Sequence, residues 1–288
     1  MYVQAKAPKK SITKINNITT MRFMMPSSDE KPDSSHITGF SSEINKARKE
    51  SSQCFFNFFD SKGTVNQVFV KGAWDFAIHI VKPLSQIIFS PHKLTALEVG
   101  HGGGRLMASA ASYFKHVYGV DIHSENELVE AELKSRGVRN SSLLKSDGCN
   151  IPLPNESIDI VYSFIVFQHL EKISIVKNYI DEISRVLSPG GVGILYYGRY
   201  RRFSLCTQKQ WRFFLDLLSE SILHPKGYKE FPAKVNSTNL YISRHHMKKM
   251  LATCGLSFHN HLHSYRPDYS SYGGQHGIIF TKPKGNIL

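Results

Sequence analysis

Cysteine is scarce in this chain of 288 residues. Its four copies, Cys54, Cys149, Cys206 and Cys254, stand far apart and never as CxxC. That spacing offers neither a disulfide framework nor a zinc knuckle, and it suits a reducing, cytoplasmic setting. No stretch approaches the roughly 18 consecutive apolar residues that read as a membrane span. Acidic residues are missing altogether from Met1 to Ser28. A basic, acid-free start of this kind can serve as an organelle-targeting peptide, but one arginine (Arg22) and no amphipathic period favour a flexible tail. Internal repeats are absent as well, so solenoids and propellers drop out.

The chain does have enough apolar material for a large core, with 41% hydrophobic and 11% aromatic residues, and a formal charge of +13. The basic excess is uneven. Between Arg199 and Met250 stand Arg199, Arg201, Arg202, Lys209, Arg212, Lys226, Lys229, Lys234, Arg244, Lys248 and Lys249, opposed only by Asp216, Glu220 and Glu230. Such a surplus attracts anions without naming them. Residues 1–52 read as a flexible basic N-terminal segment, with a linker composition from Ser27 to Ser35. Residues 53–288 read as one domain.

Within that domain, helical spacing runs from Val65 to Val81 and stops at Pro83. Apolar strands are expected at Leu94–Val99, His116–Val120, Ser142–Lys145, Ile158–Ile165 and Val192–Tyr197, with helices between them at Arg105–Lys115, from Ser124 to Gly137, and at Ile175–Leu187. Ser124 and Glu127 have the spacing of a capping box. Strands alternating with helices give βαβ units and a mostly parallel sheet. Residues at about 199–242 break the rhythm, with one helix at Gln208–Ile222. A helix from Ser243 to Cys254 and two strands, Leu256–Leu262 and Gly277–Thr281, close the chain. His259, His261 and His263 alternate and would share one face of a strand. Phe258 and Leu262 would then supply the opposite apolar face of an ordinary edge strand, so no metal site is expected there.

Chemistry concentrates at Leu97-Glu98-Val99-Gly100-His101-Gly102-Gly103-Gly104-Arg105, a strand-to-helix turn where glycines permit a tight bend and close approach of a ligand. A dinucleotide G-x-G-x-x-G begun at Gly100 would need glycine where Arg105 stands. A phosphate loop would need Lys and Ser/Thr after the last glycine, and neither follows. The pattern present is E-x-G-x-G-x-G. Asp121 ends the second strand 23 residues after Glu98, and Ser146-Asp147-Gly148 ends the third. Ser157-Ile158-Asp159-Ile160-Val161 and Val186-Leu187-Ser188-Pro189-Gly190-Gly191 follow in order.

These five segments, over residues 94–197, resemble the class I, Rossmann-like S-adenosylmethionine (SAM) dependent methyltransferases. The resemblance implies a seven-stranded, mostly parallel α/β sheet with helices on both faces and a C-terminal antiparallel hairpin. SAM would be the cofactor. Gly100, Gly102 and Gly104 would line its methionine end, with Glu98 organising the turn. Asp121 would hold the ribose hydroxyls and Ile122 would pack on adenine. Asp147, with Gly148 beside it, would meet the adenine amino group.

SAM chemistry mainly requires alignment of an acceptor and exclusion of water, with a base only where the acceptor must lose a proton. His169, just beyond the fourth strand, is the candidate base. The family's [DN]-P-P-[FY] motif for exocyclic nucleobase amines is replaced by Ser163-Phe164-Ile165-Val166, and no Pro-Cys nucleophile for pyrimidine carbon exists. The acceptor pocket is expected from about Phe55 to Ile88 and from the insertion at 199–242, whose Tyr200, Arg201, Arg202 and Phe203 interleave aromatic and cationic groups suited to a flat or anionic ligand. The leading expectation is methyl transfer to oxygen of a small-molecule or glycan-like acceptor. An RNA methyltransferase and a non-catalytic SAM-binding regulator are the alternatives.

Overall fold

The structure is a computed structural model and describes residues 39–59, 63–148, 150–200, 210–265 and 272–284. The tail before Gly39 and the Arg201–Phe203 part of the insertion therefore lie outside the described residues. Two helices open the described chain, α1 (Phe40–Glu50) and α2 (Ser52–Phe58). Residues 40–50, assigned by composition to the flexible basic segment, thus form a helix, and Ile44 anchors it in the core. Ser51 caps α2 by accepting from the Cys54 N–H.

The long helical pattern of residues 65–81 divides. α3 (Val65–Phe76) starts from a capping box of Thr64 and Gln67, then widens into a π-helix over Ala77–Val81 before the single turn α4 (Lys82–Leu84). The cause is Pro83, which has no N–H to offer the carbonyl four residues back. That carbonyl, on His79, accepts instead from the Tyr196 hydroxyl at 3.0 Å.

Then follow β1 (Thr95–Val99), α5 (Met107–Ala110), β2 (His116–Asp121), α6 (Asn126–Ser135), β3 (Ser141–Lys145), β4 (Ile158–Ser163), α7 (Ile173–Val186) and β5 (Leu187–Gly198). The chain continues with α8 (Gln210–Leu223), β6 (Tyr228–Glu230), β7 (Leu240–Ile242), α9 (Arg244–Thr253), β8 (Ser257–Tyr265) and β9 (Tyr272–Thr281). Seven strands form one sheet in the order β3-β2-β1-β4-β5-β9-β8. β1 to β5 run parallel, and β9 pairs antiparallel with both β5 and β8. β6 and β7 form a small separate hairpin. The expected Rossmann-like sheet with its closing antiparallel pair is therefore present.

Two apolar cores sandwich the sheet. One joins Leu97, Val161 and Leu195 to α7 and α9 through Val176, Ile180, Ile183 and Leu251. The other joins Ala96, Ile160, Ile194 and Ile279 to the N-terminal helices through Phe55, Phe69 and Phe76.

Three local expectations change. α6 begins at Asn126 without a side-chain cap, so the Ser124–Glu127 box does not form. His123 Nδ1 instead accepts the Glu125 N–H at 3.1 Å. The helix expected over 105–115 keeps α geometry only at Met107–Ala110. In β8 the register shifts between Phe258 and Asn260, a bulge at His259. One extra residue flips the facing of what precedes it, so Phe258 sits against His261 with ring centroids 4.6 Å apart rather than on the opposite face.

Candidate functional site

The strand order reverses between β1 and β4, and open α/β sheets bind ligands in the crevice beyond the strand ends at that point. Here it holds a cleft of about 940 Å³, open solvent at the mouth included. Glu98, Gly100, Gly102, Asp121, Ile122 and His169 all contribute to its wall.

The glycine turn leaves β1 with Gly100, Gly102 and Gly104 at φ of +79°, +52° and +77°, the left-handed region where side chains with Cβ are strained. A Cβ on Gly100 would lie 2.2 Å from Val166 Cγ2, and one on Gly102 would lie 2.9 Å from the Phe59 ring. Gly104 instead packs outward, its would-be Cβ 2.8 Å from Val129 of α6, and it does not line the cleft.

The turn spends its N–H groups on the protein. Those of Gly100 and His101 donate to Val120 O at 2.8 and 3.3 Å, and that of Gly104 donates to His101 O at 2.8 Å. The Gly102 N–H donates to Asp121 Oδ2 at 2.8 Å. Phosphate-binding turns work by aiming unsatisfied N–H groups at the anion. This turn has committed four of them elsewhere and sets the Asp121 carboxylate and the Glu98 carboxyl in the same wall. Such a donor set disfavours phosphate and favours a ligand with cationic and hydroxyl groups.

Asp121 is fixed from both sides. Its Oδ1 accepts from the Ile122 N–H at 2.7 Å while Oδ2 holds Gly102. Burial raises the cost of its charge, yet the neighbouring His123 and His101 and the two backbone donors bring its pKa below the usual carboxylate value. The His123 N–H adds a long bond to Oδ1 at 3.5 Å; a carboxylate offers about four lone-pair sites, so capacity for a ribose hydroxyl remains.

His123 and His101 brace the loop. Because His123 Nδ1 accepts from Glu125, its Nε2 carries the proton and donates to Gly102 O at 3.0 Å. His101 Nδ1 reaches the same carbonyl at 2.9 Å, and burial first of all holds that imidazole down at about 4. Among the described residues, His101, Asp121 and His123 form the one trio of metal-type ligands, with ligand atoms within 4.8 Å of one another. Both rings already donate to Gly102, so the trio acts as the loop's scaffold.

Glu98 is buried, and that burial pushes its carboxyl up to about 8 against the opposing pull of the Tyr162 hydroxyl, which donates to Oε2 at 3.0 Å, and of Arg105. Arg105 itself lines the cleft and pairs with Asp75 at 2.5 Å.

On the third strand's tip, Ser146 lines the cleft but Asp147 and Gly148 do not. The Asp147 carboxylate accepts from the Asn150 backbone at 2.7 Å and from its side-chain amide at 2.6 Å. Gly148 donates to Ser146 Oγ at 3.0 Å.

Also in the cleft wall, His169 Nδ1 donates to Ser237 O at 2.5 Å, which turns the Nε2 lone pair to the Gln168 amide nitrogen at 3.3 Å. Burial lowers its pKa, so the ring is neutral at neutral pH. The insertion holds this segment. Asn239 donates through its side chain to His169 O and through its backbone to Gln168 O, both at 2.8 Å. Phe40, Phe59, Phe164, Val166 and Leu170 complete an apolar surround.

Residues 97–195 match the methyltransferase-domain family model Methyltransf_11. By that match, residues 97–195 carry a methyltransferase domain. Over 100 residues this chain is 36% identical to the U6 snRNA (guanine-N(2))-methyltransferase THUMPD2 of Bos taurus, covering 33% of this chain and 20% of that one. Over 115 residues it is 33% identical to the human counterpart, covering 37% and 23%. The chain therefore spans less than a quarter of those relatives. A putative sarcosine dimethylglycine methyltransferase from Galdieria sulphuraria superimposes with a TM-score of 0.52 at 14% identity, over 76% of this chain and 88% of its own. The [4+2]-cyclase SpnF does so with a TM-score of 0.50 at 13% identity, over 77% and 82%. At such identity the likeness is one of fold, and the fold alone does not specify methyl transfer.

The methyltransferase cleft suits SAM on its own chemistry. The sulfonium and ammonium groups would meet the Glu98 side of the wall, and the ribose hydroxyls would meet Asp121. Sequence patterns pointed to the glycines and both carboxylates. They missed His123, whose role as a loop brace depends on a fold contact, and Asn239, which lies 70 residues from the histidine segment it holds. They also missed Ile165, a β-branched residue at φ +70° in the cleft wall. Strain of that kind persists only where its surroundings enforce it, and no sequence signal marks it.

Proposed function

We propose that this chain transfers the methyl group of SAM to a hydroxyl oxygen of a small-molecule or glycan-like acceptor, with His169 as the base. The observation that carries the reading is the neutral His169 imidazole in the cleft wall, its Nδ1 proton committed to Ser237 and its Nε2 lone pair facing the Gln168 amide at 3.3 Å, a contact that an acceptor hydroxyl would have to displace. A hydroxyl must lose its proton as it is methylated, and a positioned imidazole typically contributes 10² to 10⁴-fold. When bound, SAM supplies an already activated methyl on sulfur. The chain's own contribution is alignment and dryness. Gly100 and Gly102 line the methionine end, Glu98 orders the turn, Asp121 takes the ribose and Ile122 packs on adenine. Asp147 meets the adenine amino group only after exchanging its Asn150 partners. The aromatic side chains of Phe40, Phe59 and Phe164 help to exclude water from the cleft.

An exocyclic amine would call for a polar group at the tip of β4. Ser163 stands there, but its hydroxyl donates to Val99 O at 2.7 Å inside the core. The second reading, an RNA acceptor, draws support from the names of the relatives and from the basic insertion. Incubating the purified protein with labelled SAM and a fractionated cell extract separates the two: label in the small-molecule or glycan fraction supports the proposal, and label in RNA overturns it. Salt-sensitive RNA binding would point the same way as labelled RNA. SAM binding with no label in any fraction would favour a non-catalytic regulator.

A further inference from the structure

The helix α8 is built inside out. Its inward positions are Phe213, Asp216 and Glu220, at helical spacing, and all three are buried. Asp216 pairs with Arg199 at 3.2 Å, the two being 2% and 1% exposed, and Glu220 accepts from His276 Nε2 at 3.2 Å. Phe213 lies under the Arg199 guanidinium and against His263 of β8. The outward positions are Trp211, Phe214, Leu215, Leu218 and Ile222, an i, i+3, i+4, i+7, i+11 stripe, and all are exposed, Leu218 at 72% and Ile222 at 80%. Soluble surfaces rarely present so continuous an apolar strip without a use for it. Rotating the helix to hide the strip would leave the Arg199 charge buried beside leucines, which is strongly unfavourable. The ion pairs therefore hold the apolar face outward.

Charge identifies what the strip meets. Because both acids of α8 point inward, the only charge on its outward side is Arg212, stacked at 5.1 Å over Trp211. Exposed Lys226 and Lys229 follow the helix, and in sequence Lys209 precedes it. A second copy of this face would bring like charges together. An anionic bilayer complements them and receives a helix whose backbone polar groups are already satisfied, with Trp, Phe and Leu entering the interface and Arg and Lys at the headgroups. No helix among the described residues is long and apolar enough to cross a membrane, so the contact would be peripheral.

We infer that the outward face of α8 docks the protein onto an anionic lipid surface. This inference does not depend on the acceptor assignment. The test is sedimentation of the full chain with phosphatidylcholine vesicles, with and without about 30 mol % phosphatidylserine. Salt-sensitive binding to the anionic vesicles only is expected, together with quenching of Trp211 fluorescence by brominated lipid, assigned with a Trp211→Phe control because Trp74 is also exposed. Leu218→Asp with Ile222→Asp, both on the exposed strip, should weaken binding about tenfold or more while SAM affinity is unchanged. Failure to bind anionic vesicles, equal binding by the double variant, or a self-associated dimer dispersed by that variant would each overturn the inference.

Discussion

If SAM binds against Glu98 as proposed, its binding is coupled to a proton. The Glu98 carboxyl titrates near 8 because it is buried, so at pH 7 only about a tenth of molecules carry the negative charge. The sulfonium of SAM favours that charged form. If the ionised form alone binds, affinity rises about tenfold from pH 6 to 7 and only about twofold from pH 8 to 9. About 0.9 proton is then released per SAM bound at pH 7. His101, at about 4, and Asp121, held lower than an ordinary carboxylate, titrate below this window. The assay is SAM affinity across pH 6 to 9 with proton release followed by an indicator dye in weak buffer. Glu98→Gln should flatten the curve and abolish the release, and S-adenosylhomocysteine, lacking the sulfonium charge, should show a smaller slope. Affinity independent of pH, or an unchanged slope in the glutamine variant, would refute the coupling. Stability follows with the opposite sign. The unfolded carboxyl loses its proton near 4.5 and the folded one near 8, so the unfolded state binds fewer protons between them. The ligand-free domain should lose up to about 1.4 kcal/mol per pH unit as pH rises through that window.

Gly100→Ala forces a left-handed residue with a Cβ 2.2 Å from Val166; thermal unfolding should show a loss of about 2–5 kcal/mol, with weakened SAM binding. Asp216→Ala leaves Arg199 buried without its carboxylate, and chemical denaturation should report a cost of about 3–5 kcal/mol. His169→Gln should lower kcat by about 10² to 10⁴ with SAM affinity unchanged. In the unaltered enzyme, burial of His169 keeps its pKa below 6.5, so kcat at saturating SAM should stay level through neutral pH and fall only in acid.

Where the sequence was informative, local chemistry and tertiary position agreed. The strand–glycine–helix turn needs positive φ at Gly100, Gly102 and Gly104, and only glycine supplies it cheaply, so the motif was legible without a fold. The mostly parallel sheet followed from the alternation of apolar runs with amphipathic helices, because strand–helix–strand units pair their strands in parallel. Other features were decided by distant partners. Ser124 lost its capping role because His123 is drawn to Gly102 O and presents its other nitrogen to the Glu125 N–H. The π-helix at Ala77–Val81 reflects both Pro83 and the Tyr196 hydroxyl from across the sheet. Asp147 had the expected place in sequence, but its carboxylate is engaged by Asn150 three residues on. α8 has helical periodicity, yet nothing in its sequence says that Asp216 and Glu220 face inward; only Arg199 and His276 decide that.

The most direct measurement is calorimetric titration of the folded chain with SAM, alongside Asp121→Ala. Saturable one-to-one binding in the parent protein, weakened by about 1.5–3 kcal/mol or more when the carboxylate is removed, is the predicted result. Absence of binding by both SAM and S-adenosylhomocysteine, or equal affinity in the alanine variant, would contradict it.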